Sequence, residues 1–226
     1  IPLSLVTGWL EYILANKSAF AEMFQSHLLM VLIGEIGAIL VAIPAGIIAT
    51  RNERLGWLVM NTGAIAQTIP PLAVIALSFT VLGLGRWPAI LAVFLYAILP
   101  ILKNTAAGIR QIEGSQVEAG TGMGMTSLQR LKRIELPLAS PVIFSGIRTS
   151  TVFCIGVAYL GVFIGAGGFG TWIVLGQNMF RTDILLAGAL PGAILVVLFD
   201  RVFGYVERYV TPAGISSGSE SERAVA

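Results

Sequence analysis

The sequence predicts an all-α protein that crosses a membrane about five times. Only 12% of the 226 residues are charged and 56% are hydrophobic, whereas soluble domains are roughly 25% charged. The mean hydropathy is +0.85. Apolar stretches recur along the chain, several of them close to the roughly 20 residues that a bilayer-spanning helix needs. A soluble protein of this composition would lack the polar surface to cover itself, so we expect an integral membrane protein.

The apolar stretches divide the chain into three regions. Residues 1–26 are predicted to form an amphipathic segment at the membrane surface, because Trp9, Ile13 and Phe20 are spaced to share one helix face. Residues 27–210 form the predicted transmembrane domain, and the tail 211–226 is predicted to be disordered. The five spans are predicted over 28–49, 57–82, 87–102, 138–164 and 184–199.

The distribution of basic residues predicts the orientation. Five spans place the two chain ends on opposite sides, and the alternate loops divide the cations unequally. One side holds Arg51, Arg54, Lys103, Arg110, Arg130, Lys132, Arg133, Arg201 and Arg208, and the other holds Lys17, Arg86 and Arg181. Because cytoplasmic loops are enriched in Lys and Arg, we expect the N-terminus outside and both the 103–137 segment and the C-terminus inside the cell.

The residue inventory argues against an enzyme. A single cysteine, Cys154, and a single histidine, His27, leave no disulfide within the chain and no metal site built from those ligands. No Walker A sequence is present, so the chain is not expected to hydrolyse ATP. The net charge of +2 is too small to indicate nucleic-acid binding.

A glycine-rich stretch matches the dinucleotide fingerprint G-x-G-x-x-G, at Gly165, Gly167 and Gly170. That fingerprint binds a cofactor only when a strand precedes it and a helix follows in a βαβ unit. Here the motif follows a predicted membrane span. We therefore interpret the stretch, which also includes Gly168, as a tight outer loop without a cofactor.

Two ionisable residues lie deep in predicted spans, Glu35 and Arg148. A charge at the centre of a spanning helix costs roughly 2.5–3.5 kcal/mol, so a position facing lipid without a partner is disfavoured. Three hypotheses remain open: the two residues pair with each other, they face a pathway through the protein, or they have separate roles.

The second predicted span is interrupted by Pro70 and Pro71. Proline removes a backbone donor and disrupts the helix, and a broken helix inside a membrane is tolerated only where protein or a water-filled cavity covers it. Such breaks mark midplane binding sites in transporters. Gln67 and Thr68 stand beside the break, so we predict that this region lines a pathway.

A polar insert between the third and fourth spans reads EAGTGMGMTSLQRLKRIELP over residues 118–137. Thr126 and Gln129 stand at the spacing of a capping box. A second short helix is predicted over 113–121, ended by Gly122 and Gly124, and Pro137 suits the first turn of the next span. The pattern predicts a helix–turn–helix elbow over 113–137, although an ordinary connector at the membrane surface would explain it as well.

This insert resembles the EAA loop of bacterial ABC importer permeases, which reads E-A-A, three residues, G, nine residues, I-x-L-P. The matching residues are Glu118, Ala119, Gly124, Ile134, Leu136 and Pro137, and the departure is Gly120 in place of alanine. In that family the loop is the coupling helix, which sits in a cleft of the ATPase subunit. The resemblance implies that Arg130 and Arg133, inside the same loop, belong to the coupling surface.

Other motifs resemble the permeases of importers for glycine betaine, carnitine or choline: QTIPP at 67–71, LYAILPILKNT at 95–105, GMGMT at 122–126 and GAGGFG at 165–170. The resemblance implies a multi-pass protein of the bacterial inner membrane. It would work with a second permease subunit, identical or not, with a cytoplasmic ATPase dimer that uses ATP and Mg²⁺, and with an external binding protein.

A quaternary ammonium substrate has no N–H to donate, so aromatic rings are its natural partners. The aromatic residues of the spans, among them Tyr96, Phe153 and Tyr159, can serve in this way or simply pack. The candidate pathway residues are then Gln67, Thr68, Pro70, Pro71, Tyr96, Asn104 and Tyr159. Two alternatives stay open: the same machinery importing an amino acid or related zwitterion, and a channel or scaffold that needs no ATPase.

Overall fold

The computed structural model describes residues 3–210, and the predicted tail 211–226 lies outside the described residues. The described part is helical. The helices are α1 Leu3–Ala15, α2 Lys17–Arg51, α3 Glu53–Thr68, α4 Pro71–Leu82, α5 Arg86–Arg110, α6 Gly114–Gly122, α7 Ser127–Arg130, a π-helical turn Leu131–Glu135, α8 Leu136–Ala158, a 3-10 turn Tyr159–Ile164, α9 Gly170–Asn178 and α10 Thr182–Val210.

Four helical stretches are long and apolar enough to cross a membrane, and the bent pair α3–α4 makes a fifth if it counts as one span. The packing of α2 on α5 decides this question. Gly34 of α2 lies against Val93 of α5, and Gly46 lies against Thr105, so the two helices run parallel. The chain must therefore return to its starting side between them, and α3 with α4 provides that crossing.

The next two crossings alternate in direction. Gly108 of α5 lies against Ala139 of α8 while Gly146 lies against Pro100, so α5 and α8 are antiparallel. Arg148 of α8 bonds to Asp200 of α10, and Tyr159, directly after α8, bonds to Gly188 of α10, so these two helices are antiparallel too. Five crossings result, which agrees with the predicted number.

The alternation sorts the loops into two ends of the molecule. One end, called here the basic end, carries residues 51–54 and 110–135. The opposite end, called here the glycine end, carries residues 83–85 and 164–170, and the Gly85 N–H donates to the Ile164 carbonyl across 3.0 Å. Helices α1 and α9 meet at the glycine end, where Tyr12 packs on Trp172 with ring centroids 5.1 Å apart.

Close helix packing depends on glycine at the contacts of α2 with α5. A Cβ added to Gly34 would lie 2.5 Å from Cγ1 of Val93, and one added to Gly46 would lie 2.7 Å from Cβ of Thr105. Small residues let helices approach in a membrane, where dispersion contacts rather than hydrophobic burial hold them together. The centre of the bundle is therefore formed by α2, α5 and α8.

Several helices extend beyond the predicted apolar spans. The predicted amphipathic segment 1–26 is divided at Asn16, and α2 begins at Lys17 rather than near residue 27. The helices α5 and α10 continue to Arg110 and Val210, beyond the predicted ends at 102 and 199. Hydropathy marks where a chain leaves the lipid, whereas the backbone hydrogen bonds of the helix continue past that point. Lys and Arg are tolerated in these helix ends because their long side chains extend the charge into water.

Candidate functional site

The 113–137 segment forms two short helices at the basic end, as predicted. Helix α7 begins with the predicted capping box: the Gln129 N–H donates to Oγ1 of Thr126 over 3.3 Å, and the Thr126 N–H donates to Oε1 of Gln129 over 2.8 Å. Gly124 has φ +75° and joins the two helices, as glycine does after a helix end. Gly122 is instead the last residue of α6.

Helix α6 turns one face to its own protein and the other to solvent. Glu118 and Ala119 are exposed, whereas Gly120 is buried. A Cβ added to Gly120 would lie 2.5 Å from Cδ1 of Ile134, so the departure from the E-A-A pattern makes room for that side chain. Two large apolar side chains of the elbow beyond α6, Met123 and Leu128, are exposed as well. Exposed apolar area of this kind is typical of a surface that meets a partner.

Pro137 lies in the first turn of α8, as predicted, and the elbow joins this helix without an interruption. Helix α7 passes through the π turn directly into α8, in which the Leu136 N–H donates to the Leu131 carbonyl. Pro137 lies at the start of α8, but it has no N–H with which to close an α-helical turn onto Arg133. The helix widens here into a π turn, a feature that often lies at functional sites. Arg133 points to solvent in this turn.

The sequence interpretation overlooked Glu135, which occupies the variable position of I-x-L-P. Its side chain is only 2% exposed. It accepts a short hydrogen bond from Arg51 Nη2, and Nε of Arg130 lies 3.3 Å from its other oxygen. Arg130 in turn donates from Nη1 to Oγ1 of Thr121 over 3.0 Å. The sequence does contain a signal for this role of Glu135. The 51–54 loop and the insert were predicted on the same side of the membrane, and Glu135 is an acid within that group of cations.

The predicted break at Pro70 and Pro71 is confirmed: α3 and α4 meet at 94°. Gln67 has a defined task there. Pro100 lacks an N–H, so the Tyr96 carbonyl one turn earlier in α5 has no helical partner. The Gln67 Nε2 atom donates to that carbonyl over 3.0 Å. The break is thereby held against α5.

The other candidate pathway residues do not form one cluster. Thr68 and Asn104 bond to carbonyls of their own helices. The Tyr96 ring is buried, its hydroxyl has no partner within the described residues, and it stacks on Phe153 with centroids 5.8 Å apart. Tyr159 lies towards the glycine end instead, where its hydroxyl donates to the Gly188 carbonyl over 3.0 Å.

Pairing of Glu35 with Arg148 was one of three open hypotheses, and it is wrong. Arg148 forms a two-point ion pair with Asp200 of α10, with bonds of 2.5 and 2.8 Å, and Glu207 lies 3.9 Å away. Glu35 is 4% exposed and accepts a short hydrogen bond from the Ser150 hydroxyl of α8. The prediction failed because Asp200 follows the predicted end of the last span and was not counted as a membrane residue.

The Gly165–Gly170 loop packs into the protein rather than around a ligand. Gly165, Gly167 and Gly168 have φ of +70°, +77° and +81°, which favours glycine. A Cβ added to Gly168 would lie 3.1 Å from Nδ1 of His27, and one added to Gly170 would lie 2.2 Å from the Tyr159 carbonyl oxygen. A 3-10 turn, not a strand, precedes the loop, so the βαβ unit that the dinucleotide fingerprint requires is not formed here.

Comparison with known proteins agrees with this arrangement. The model of the family "Binding-protein-dependent transport system inner membrane component" matches residues 42–212. The chain is 46% identical over 204 residues to the carnitine transport permease protein OpuCD of Listeria monocytogenes, covering 90% of this chain and 92% of the relative.

It is also 44% identical over 210 residues to the glycine betaine/carnitine/choline transport system permease protein OpuCD of Bacillus subtilis, covering 92% of this chain and 91% of the relative. A solved structure of the MetNI methionine ABC transporter in an inward facing conformation shares the fold, with a TM-score of 0.78 at 20% identity over 86% of this chain and 97% of that chain. The chain therefore belongs to the family of binding-protein-dependent transport system inner membrane components.

Proposed function

We propose that the chain is the permease subunit of an ATP-driven importer for a small quaternary ammonium solute such as glycine betaine, choline or carnitine. The observation that carries this proposal is its identity of 46% and 44%, over 90% and 92% of its length, to permeases named for such substrates. The chain itself does no covalent chemistry. It lowers the barrier for a charged solute to cross the bilayer and lets ATP binding elsewhere drive the crossing.

The exposed face of α6 is the proposed contact with the ATPase. Glu118 and Ala119 point to solvent, and Met123 and Leu128, which follow α6 in the same elbow, are also exposed. The basic end is the cytoplasmic end in this proposal, because it holds most of the cations of the loops. ATP and Mg²⁺ bind to the partner ATPase dimer, whose closure moves α6.

The region around the broken span is the proposed pathway for the solute. Phe153 is 50% exposed and stacks on Tyr96, whose carbonyl is held by Gln67 beside the break. A trimethylammonium group has no N–H, so it binds best over aromatic faces, where cation–π attraction is about 2 kcal/mol once water is removed. An aromatic pair beside an interrupted helix fits this requirement.

A second permease subunit completes the pathway. The Arg148 and Asp200 side chains are 38% and 36% exposed within spans, and charged groups in a membrane face protein or water rather than lipid. We propose that this side of α8 and α10 faces the second subunit or the aqueous path between the two. The external binding protein docks at the glycine end.

Uptake of labelled solutes tests the proposal. The permease is expressed with its ATPase and binding protein in cells that lack their own betaine uptake, and glycine betaine, choline, carnitine and methionine are offered separately. Uptake of one of the three quaternary solutes, abolished when the ATPase is omitted, is expected. Uptake of methionine alone would indicate that the substrate is an amino acid, and uptake that persists without the ATPase would indicate a channel.

A further inference from the structure

We infer that Glu135 is a positioning residue that links the movement of α6 to α2 and, through α2, to the broken span. The inference rests on the proposed contact between α6 and an ATPase, and it names the group that passes that contact on to the bundle. Glu135 touches neither ATP nor solute in this account. It acts through Arg130 on one side and Arg51 on the other.

The contacts form a continuous chain from α6 to α2. Thr121, in the last turn of α6, accepts from Nη1 of Arg130, and Nε of Arg130 faces Oε1 of Glu135 at 3.3 Å. The second carboxylate oxygen, Oε2, accepts from Arg51, the last residue of α2. Each oxygen of the carboxylate thus holds a different segment, which no other acid of the basic end does within the described residues.

From Arg51 the connection continues to the broken span. Asn52 follows directly and caps α3 by accepting from the Arg54 and Leu55 N–H groups. A Cβ added to Gly56 would lie 2.5 Å from the Ala49 carbonyl oxygen, so α3 is packed tightly against the end of α2. A displacement of Arg51 therefore shifts α3, which ends at the Pro70–Pro71 break beside Tyr96.

The burial of Glu135 gives the link its strength. Its side chain is 2% exposed, against 43% for Arg51 and 20% for Arg130. Removing one cation from a buried carboxylate strongly destabilises the folded protein, whereas exposed ion pairs contribute little to its stability. The carboxylate and its two arginines consequently move as one unit.

The position of Glu135 in the backbone fits a hinge. It is the last residue of the π turn that separates α7 from α8. A π turn inside a long helix is a local departure from the regular hydrogen-bond ladder, and such departures lie frequently at functional sites. The turn lets α6 and α7 change direction relative to α8 while Glu135 keeps them attached to α2.

The test measures coupling rather than activity alone. Proteoliposomes contain the permease with its ATPase and binding protein, and both glycine betaine uptake and ATP hydrolysis are recorded. In the Glu135→Gln and Arg51→Gln variants we expect ATP hydrolysis to continue while solute transported per ATP falls about tenfold, within the usual range of coupling effects. Arg51→Lys, which keeps the charge, is expected to restore part of the ratio.

The matched control is Glu53→Gln, an exposed acid two residues beyond Arg51, which should leave the ratio unchanged. The double variant Arg51→Gln/Glu135→Gln should be no worse than either single variant, because both remove the same link. A wild-type ratio in Arg51→Gln would overturn the inference even if Glu135→Gln failed to assemble, as would additive defects in the double variant. Failure of the wild-type chain to bind the ATPase would overturn the proposed function, and the inference with it.

Discussion

At the scale of single residues, one side chain compensates for a proline inside a membrane helix. Pro100 leaves the Tyr96 carbonyl of α5 without its helical partner, and Gln67 of α3 donates a hydrogen bond to that carbonyl instead. An unpaired carbonyl is costly where no water is present. Gln67 therefore has a structural role beside the helix break that needs no contact with solute: its bond to the Tyr96 carbonyl holds the break against α5.

This explanation predicts a specific double-mutant result. Gln67→Leu should lower the free energy of unfolding by about 1–3 kcal/mol, the usual cost of leaving a buried polar group unsatisfied. In a Pro100→Ala background the alanine N–H can donate to the Tyr96 carbonyl, so the same substitution should cost much less. Thermal unfolding in detergent measures both; equal losses in the two backgrounds would contradict the assignment.

The fate of Glu35 and Arg148 shows what sequence depth can and cannot predict. Counting residues along the spans predicted that Glu35 and Arg148 lie deep in the membrane. The cost of burying a charge there correctly predicted that each has a partner. The count could not give the rotation of each helix about its axis, nor the true length of α10, which brings in Asp200. The Ser150 hydroxyl that bonds Glu35 is equally unreadable from sequence, because serine is common in transmembrane helices without such a role.

At the scale of helices, the number and order of the spans and the elbow were predictable from hydropathy, prolines and capping residues. The way in which the elbow joins the transmembrane bundle was not predictable from these signals. Pro137 lies in the first turn of α8, as predicted, but nothing in the sequence indicated that α7 continues through a π turn into α8. The motif spacing identified Glu118 and Pro137, but it leaves position 135 variable, so only the cations around Glu135 indicated a role for this buried carboxylate.

Glycine at helix contacts gives an element-scale prediction with an internal control on α8. A Cβ added to Gly146 would lie 2.6 Å from Cβ of Asn104, while one added to Gly156 meets nothing within 4 Å. Gly146→Ala should therefore destabilise by about 1–3 kcal/mol through overpacking, and Gly156→Ala should be neutral or stabilising by up to about 1 kcal/mol from helix propensity. Thermal unfolding in detergent compares the two, and similar values would refute the α5–α8 packing.

The exposed face of α6 gives a second prediction at this scale. Glu118→Arg should weaken binding of the ATPase at least about tenfold, as expected for a residue inside an interface, without changing thermal stability. Glu53→Arg, an equally exposed acid at the same end, should bind normally. Co-purification in mild detergent at several ATPase concentrations measures the difference; equal affinity in both variants would place the contact elsewhere.

At the scale of the whole molecule, parallel packing of α2 and α5 requires five crossings and assigns the loops to two ends. The excess of basic residues at one end predicts that this end is cytoplasmic. The sequence predicted this division because charge and hydropathy are summed over many residues. It could not predict which side chains of the spans stay exposed, such as Arg148 and Asp200, since exposure depends on how the helices pack.

Labelling with a membrane-impermeant maleimide tests the orientation. In a Cys154→Ser background, which leaves no other thiol in the chain, Leu84→Cys and Ser115→Cys report on the glycine and basic ends. Leu84 is 74% exposed and Ser115 is exposed in α6. Intact cells, with the outer membrane opened where there is one, should label the first variant only, and lysed cells both. Labelling of Ser115→Cys in intact cells would reverse the orientation.

The central claim is that this chain passes a quaternary ammonium solute across the membrane only when an ATPase acts on its basic end. The most direct measurement is glycine betaine uptake into proteoliposomes that hold the permease and its ATPase, with binding protein on the glycine-end side and ATP on the basic-end side. We predict uptake that needs ATP, ATPase and binding protein together. Uptake that continues when ATP or the ATPase is left out would contradict the account.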